Sequence, residues 1–307
     1  MKNKFQHIGL AKLCGWFGVS RQAYYQNNWE GISTTLEEEI IIQLVRDIRK
    51  SHRRIGARKL YEMMQPFMLE HNIKMGRDAL FNLLAANQLL IRKRKRRIQT
   101  TNSFHWLRKY PNLIRGFAPT AINQLWVSDI TYWKTGEKHV YISFVTDAYS
   151  RKIIGYNVSE TLEAINSTQA LKMALSVITP NVSSNLIHHS DRGIQYCSHQ
   201  YVKLLQDYYI NISMTENGDP LENAIAERVN GIIKEEYLET YDINNIKDAK
   251  VLLEFAVNLY NNERPHMSIG NLTPNQIHHS NNNIKTERLW KNYHRKNPTF
   301  VNQSQDE

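Results

Sequence analysis

The chain has 307 residues, of which 41% are hydrophobic and 22% are charged, the balance of an ordinary globular protein. No stretch is long and apolar enough for a membrane-spanning helix, and the polar first residues lack the apolar core of a signal peptide. The two cysteines, Cys14 and Cys197, are far apart in sequence and argue against both a disulfide framework and a structural zinc site. We therefore expect a soluble, cytoplasmic protein with one catalytic-size domain and smaller appendages.

Positive charge is concentrated in the N-terminal part of the chain. The formal net charge is +10, but residues 1–118 contain 22 Lys and Arg against 8 Asp and Glu, whereas residues 119–307 contain 17 against 21. Such a surface attracts polyanions, because neutralising phosphates releases condensed counterions. DNA is the expected partner, and a merely solvated basic surface is the alternative.

Residues 1–34 contain a helix-turn-helix pattern. The segment 10–25 predicts a short helix, a turn that Gly18 permits, and a second helix capped by the Ser20 hydroxyl. The second helix of such a unit can enter a major groove. A packing or dimer-forming role fits the pattern equally well.

Residues 35–91 predict a second small helical unit. Thr35 is followed by three glutamates, which suit a helix N-terminus, and apolar residues recur at helical spacing from there to residue 48. Further helices are predicted at 57–64 and 76–87. The cations between these helices indicate another relative of the helix-turn-helix, and the candidate DNA contacts are Arg54 and Arg58.

Residues 92–120 are predicted to be a basic linker. Six consecutive cations repel one another and do not suit a packed core. A phosphate-tracking arm is the favoured interpretation, and a solvated linker or a lookalike of a nuclear-targeting signal is the alternative. The run consists of Arg92, Lys93, Arg94, Lys95, Arg96 and Arg97. Residues 98–120 predict an extended connector.

From residue 121 to 278 the pattern is that of an α/β domain. Strands are predicted at 125–133, 139–147 and 152–158, separated by short turns, and these form an antiparallel meander. Strands and helices then alternate, which indicates a mixed sheet with helices on its faces. The later strands are predicted at 186–189 and 210–214, and the helices at 163–177, 199–208, 221–238 and 247–261. Residues 279–307 form a polar tail, with a possible helix at 285–293.

Three acidic residues in this domain are candidates for metal-dependent chemistry. Asp129 lies inside an otherwise apolar strand, where a buried carboxylate needs a compensating cation. Asp191 directly follows the strand at 186–189, at the end where α/β sheets commonly carry their sites. Glu227 lies on the helix predicted at 221–238. Such carboxylates can meet in one pocket, and their hard oxygen atoms favour Mg²⁺ or Mn²⁺.

Other polar residues have competing interpretations. Asp147 is more consistent with a turn cap or a pair with Arg151 than with catalysis. Lys234, about two helical turns beyond Glu227, could contact DNA or form a solvated salt bridge. His188 and His189 fit packing within a strand better than metal binding.

Several segments together resemble the integrase-type catalytic core with a DDE triad of acids. Within that group the chain resembles the bacterial insertion-sequence transposases of the third family, whose catalytic polypeptide is encoded by the second of two overlapping frames. Asp191 and Glu227 are separated by 35 residues, as in that family. Glu222 stands where the family usually has an aspartate, and no retroviral His/Cys zinc unit is present. The matching segments are 126–132 (WVSDITY), 145–151 (VTDAYSR), 189–196 (HSDRGIQY), 223–227 (NAIAE) followed by Lys234, 260–266 (YNNERPH) and 272–274 (LTP).

The resemblance implies a fold, an activity and partners. It implies an RNase H-like mixed sheet with flanking helices, and two Mg²⁺ or Mn²⁺ ions held by Asp129, Asp191 and Glu227 for DNA cleavage and strand transfer. The expected partners are the element ends, target DNA, further copies of the chain and the first-frame product, with the protein associated with the nucleoid. An RNase H-like nuclease and a DNA-binding regulator with an inactive core are the alternatives.

Overall fold

The computed structural model describes residues 9–16, 18–91, 105–135, 138–178, 185–216 and 220–280. Two compact units divide the chain: the first comprises Met1–Ser51 and Ile55–Ile91, and the second comprises the rest. The basic run from Arg92 to Arg97 and the helix predicted at 285–293 lie outside the described residues. Within the described ranges, no helix has the length and apolar character needed to cross a bilayer. The finer five-part division of the chain stays a prediction.

The first unit is helical, with α1 at Leu10–Trp16, α2 at Arg21–Ser51, α3 at Ala57–Glu70 and α4 at Arg77–Ala86. Gly18, at a φ of 65°, allows the turn between α1 and α2.

Two helix boundaries in this unit differ from the prediction. The predicted helix start at Thr35 is wrong, because α2 continues without interruption from Arg21. The glutamates after Thr35 are good helix formers inside a helix as well as at its N-terminus. The helix α3 passes through Pro66 and ends beyond the predicted residue 64.

The core of the first unit is built from one face of each of the three later helices. The side chains of Leu60, Met64, Leu80 and Leu84 are buried. They pack with other members of the cluster, namely Ile41, Val45, Ile55, Met68 and Ile73. Spacings of three and four residues place these side chains on one side of each helix.

The second unit contains a five-stranded mixed sheet in the order β3-β2-β1-β4-β5. The first three strands pair antiparallel, and β4 and β5 run parallel to β1. This arrangement confirms the predicted RNase H-like α/β fold. The strands are β1 at Leu125–Thr135, β2 at Lys138–Asp147, β3 at Ile153–Ser159, β4 at Ile187–Ser190 and β5 at Asn211–Met214.

Helices cover both faces of the sheet. On one face, α5 (Ala164–Leu175), α6 (Ile194–Cys197) and α7 (His199–Asp207) bury a core around Trp126 and Leu171. On the other, α8 (Ala224–Ile232) and α9 (Ile246–Asn262) pack around Phe144 and Leu253. A last helix, α10, spans Pro274–His279. Neither α6 nor α10 was predicted, because each has fewer than two turns and shows no periodicity.

The single helix predicted at 221–238 is instead a composite. A 3₁₀ turn at Pro220–Asn223 precedes α8, and a π-helical segment at Ile233–Tyr237 and a second 3₁₀ turn at Leu238–Thr240 follow it. The change of helix type alters which side chains share a face beyond Ile232.

Gly155 permits close packing between β3 and α5. A Cβ atom at this position would lie 2.1 Å from the carbonyl oxygen of Ala170. Only a residue without a side chain allows the helix backbone to approach the strand this closely.

The described part of the connector lies along the outer edge of β5. The carbonyl oxygen of Pro111 accepts a hydrogen bond from the Met214 amide over 3.3 Å. The Leu113 amide donates to Oγ of Ser213 over 2.9 Å. These residues have no regular secondary structure, and they are bonded into the second unit.

Candidate active site

Asp129 lies in the middle of β1, on the face of the sheet that α8 covers. Strand alternation turns Trp126 and Ile130 towards α5 and turns Asp129 the other way. Oδ1 of Asp129 accepts from the Ile130 amide over 2.9 Å, and Oδ2 accepts from Nδ2 of Asn230 over 2.8 Å. The carboxylate is therefore held in one orientation by two donors.

Asp191 directly follows β4, which is parallel to β1 and next to it. The last paired residues are Val127 and His189, and Asp129 and Asp191 each lie two residues beyond this pair. Neighbouring strands are about 4.8 Å apart. Oδ1 of Asp191 accepts from the Gly193 amide over 2.9 Å, which closes a tight turn after the strand.

Glu227 lies in the first turn of α8, between two asparagines that bind β1. Nδ2 of Asn223 donates to the carbonyl oxygen of Ser128 over 3.0 Å, and Asn230 donates to Asp129. Because these asparagines are seven residues apart, they share one face of the helix. The helix thus crosses β1 at the position of Asp129, and Glu227 itself is exposed to solvent.

The three acids act on one another electrostatically. The pKa of Asp129 is raised well above its usual value, first because the carboxyl is withdrawn from bulk water, and then because the negative charges of Asp191 and Glu227 lie near. Charges of Asp129 and Asp191 also contribute to raising the pKa of the buried Tyr196. Among the described residues, no three His, Cys, Asp or Glu side chains are arranged closely enough to hold a metal ion as they stand.

The two histidines of β4 are packing residues, as expected. His188 is fully buried, and its Nε2 lies 2.8 Å from Oγ of Ser128 and 2.9 Å from the hydroxyl of Tyr201. Burial lowers the pKa of His188 to about 3 and that of His189 to about 4. Both imidazoles are therefore neutral at physiological pH.

Asp147 organises the turn after β2. Its Oδ1 accepts from the amide and the hydroxyl of Ser150, each over 2.7 Å, and its Oδ2 accepts from the Asn123 amide over 2.8 Å. The predicted turn cap is confirmed.

The candidate DNA-contacting residues lie in different parts of the chain. Lys234 is half-buried in the π-helical segment, with Nζ 4.3 Å from the centre of the Tyr132 ring. Arg58, in the first turn of α3, is exposed and Arg54 is half-buried. The six cations from Arg92 to Arg97 are outside the described residues.

The closing segment 260–266 joins α9 to the rest of the second unit. The side-chain amide of Asn261 bonds to both the amide and the carbonyl of Ile153, over 3.0 and 2.9 Å. The guanidinium of Arg264 is fully buried and forms two 2.7 Å hydrogen bonds to the carboxylate of Glu236. This motif holds α9 and the π-helical segment beyond α8 in place.

Sequence reasoning missed Asn223 and Asn230. The two asparagines are seven residues apart, one on each side of Glu227. This spacing could have indicated their role, since it places both side chains on the helix face that meets β1. Asparagine at such positions is also common on solvated surfaces, and the spacing alone does not separate the two cases.

A mixed sheet in this order, covered by helices on both faces and matched by the integrase core family, is a polynucleotidyl transferase core of the integrase type. The integrase core domain family matches residues 119–220 and again 208–274. The chain belongs to the insertion-sequence transposases that carry this DDE-type core. Its relatives include transposase InsF of insertion sequence IS3A from Escherichia coli K12, which is 31% identical over 76% of this chain and 79% of the relative.

Two further comparisons describe the extent of the similarity. The uncharacterized 31 kDa protein of insertion element IS600 from Shigella sonnei is 36% identical over 266 residues, covering 85% of this chain and 96% of the relative. The catalytic core domain of HTLV-2 integrase, solved in complex with magnesium, is 20% identical with a TM-score of 0.42. It matches over 53% of this chain and 100% of its own length.

Proposed function

We propose that this transposase cuts and joins DNA at the ends of an insertion sequence, with Asp129, Asp191 and Glu227 as ligands of two Mg²⁺ or Mn²⁺ ions. The observation that carries the proposal is geometric: β4 pairs with β1 up to His189, two residues before Asp191, and Asn230 of the helix that carries Glu227 bonds to Asp129. The raised pKa of Asp129, to which the charges of Asp191 and Glu227 contribute after burial, agrees with this arrangement. Acids that repel one another in this way suit divalent cations, which prefer carboxylate oxygens. When bound, the two ions would stabilise the attacking and leaving oxygens of an in-line displacement at phosphorus.

The protein's own contribution is orientation. The Ile130 amide and Asn230 fix the Asp129 carboxylate, and the Gly193 amide fixes that of Asp191. Glu227 is exposed at the start of α8, so its side chain can turn towards the two aspartates. No covalent protein intermediate is needed, and one site can therefore serve both hydrolysis and attack by a 3′-hydroxyl.

Basic residues outside the acid cluster would hold the DNA. The excess positive charge of residues 1–118 supports phosphate binding by Arg54, Arg58 and the run from Arg92 to Arg97. Lys234 would add a further phosphate contact. Joining an element requires two DNA ends at once, so at least two copies of the chain would act together, with the first-frame product as a further partner.

A strand-transfer assay tests the proposal. The purified chain is incubated with labelled element-end DNA and Mg²⁺, and products are separated by size. We expect joined products from the wild type and a loss of at least about 1,000-fold in the Asp129→Asn variant, with DNA binding and the melting temperature retained. Fragments without joining would identify a nuclease, and bound but unaltered DNA would identify a regulator.

A further inference from the structure

Arg115 in the connector faces two carboxylates of the second unit. Its Nη2 lies 2.7 Å from Oε2 of Glu216 and 3.6 Å from Oε1 of Glu222. Glu216 follows β5, and Glu222 lies in the 3₁₀ turn before α8. One guanidinium therefore links the end of the last strand to the beginning of the helix that carries Glu227.

Glu222 is an acidic residue in a buried position, which is unusual. Its side chain is only 4% exposed, and a carboxylate removed from water needs a cation or strong donors. Oε2 of Glu222 accepts a hydrogen bond from the Glu216 amide over 2.7 Å, and Arg115 supplies the cation. The two glutamates and Arg115 thus form one linked group, which we call the Arg115 clasp.

The backbone of the connector holds Arg115 in this position. The Asn112 amide donates to Oε1 of Glu216 over 3.3 Å, and the Leu113 amide bonds to Ser213. Glu216 is therefore engaged by the connector through both of its carboxylate oxygens. The clasp is part of the same bonded edge as β5 and differs from a single exposed ion pair, which would contribute little.

The clasp lies directly before the elements that position the active site. Glu222 is next to Asn223, which binds the Ser128 carbonyl, and Glu227 follows within about one turn of α8. A shift of the start of α8 would move Glu227 relative to Asp129. Misplacement of a reacting group by about 1 Å can cost on the order of 100-fold in rate.

We propose that Arg115 is a positioning residue for strand transfer: it holds Glu216 and Glu222 together and so sets the start of α8 and the place of Glu227. This role rests on the proposed function. Both contacts are made by Nη2, and because an arginine stays charged at any physiological pH, the two glutamates always have a cation beside them.

Strand-transfer rates of Arg115 variants test the clasp. Joining is measured under single turnover with saturating element-end DNA, together with DNA affinity and melting temperature. We expect Arg115→Ala to lower the joining rate about 10- to 100-fold with little change in DNA affinity, and Arg115→Lys to recover part of the rate. Arg108→Ala, which removes the same charge from the same connector, is the matched control and should stay near the wild-type rate.

A charge-reversed pair separates positioning from general damage. Arg115→Glu alone gathers three carboxylates, and adding Glu216→Arg restores one cation and two anions, so the double variant should regain activity over the single one. If Arg115→Ala strongly lowers the melting temperature, the Glu216→Gln variant is tested instead, because it keeps the shape of the side chain. Slow joining by a folded Glu216→Gln protein supports the clasp, and an unchanged joining rate overturns it. An active wild type with equally active Arg115 variants overturns the clasp alone, whereas an inactive wild type overturns the proposed function.

Discussion

Nδ2 of Asn230 donates a hydrogen bond to Oδ2 of Asp129 over 2.8 Å, which ties the helix of Glu227 to the strand of the first acid. Asn230→Ala removes this donor, and we expect the joining rate to fall about tenfold because the carboxylate loses one of its two orienting bonds. Asn230→Asp has the same shape but adds a fourth negative charge, so its rate should fall further. Gln169→Ala, at an exposed position of α5, serves as the control. An Asn230→Asp enzyme faster than Asn230→Ala would contradict this view.

The buried pair between Arg264 and Glu236 should dominate the stability of the closing segment. Arg264→Ala leaves a carboxylate without its partner in the interior, and we expect a loss of about 3–5 kcal/mol in the free energy of unfolding, measured in urea. Lys50→Ala breaks an equally short pair with Asp47, but both side chains are exposed, so we expect no measurable loss of stability. Equal losses in the two variants would show that burial does not set the difference.

The burial of His188 should make the free energy of unfolding fall in mild acid. Burial lowers its pKa to about 3 in the folded protein, whereas in the unfolded chain it binds a proton near its ordinary value. The unfolded state thus holds more protons as the pH falls from about 6.5 towards 3, and stability declines over that window, by about 2 kcal/mol at pH 5. Urea titrations of wild type and His188→Gln between pH 7.5 and 5 test this. The variant should show the shallower decline, and parallel curves would refute the assignment.

Gly155 and Gly231 should respond to alanine in opposite ways. A Cβ at Gly155 would meet the Ala170 carbonyl oxygen at 2.1 Å, so Gly155→Ala must displace α5 and should cost about 1–3 kcal/mol or more. Outside the backbone of α8 itself and the neighbouring residues, no atom lies within 4 Å of a Cβ at Gly231, and alanine there should stabilise by up to about 1 kcal/mol through helix propensity. Thermal unfolding of the two variants measures both effects, and a stable Gly155→Ala protein would mean that the helix can move at little cost.

Strand patterning made much of the second unit predictable. The apolar run around Asp129, the short turns and the later alternation with helices predict an antiparallel meander within a mixed sheet, which the structure contains, because period and connection length strongly restrict such topologies. The order of the strands was not predicted. The position of Asp191 after β4 follows from the same rules.

Tertiary contacts account for what the sequence did not reveal. The sequence did not show that α2 continues through Thr35, because the glutamates after Thr35 also suit the start of a helix. The π-helical segment with Lys234 and the contacts of Asn223 and Asn230 with β1 are set by packing between distant elements. The link between Arg115 and Glu222 joins residues more than 100 positions apart, beyond the reach of local periodicity.

The covered edge of β5 bears on how a catalytic fragment should be cut from this chain. The match to the integrase core family begins at residue 119, and a fragment starting there would lack Pro111 and Leu113. Its last strand would then present unsatisfied backbone groups to other molecules, a common route to aggregation. A fragment that begins at residue 105 would keep the edge of β5 covered by the connector and is the better choice for expression.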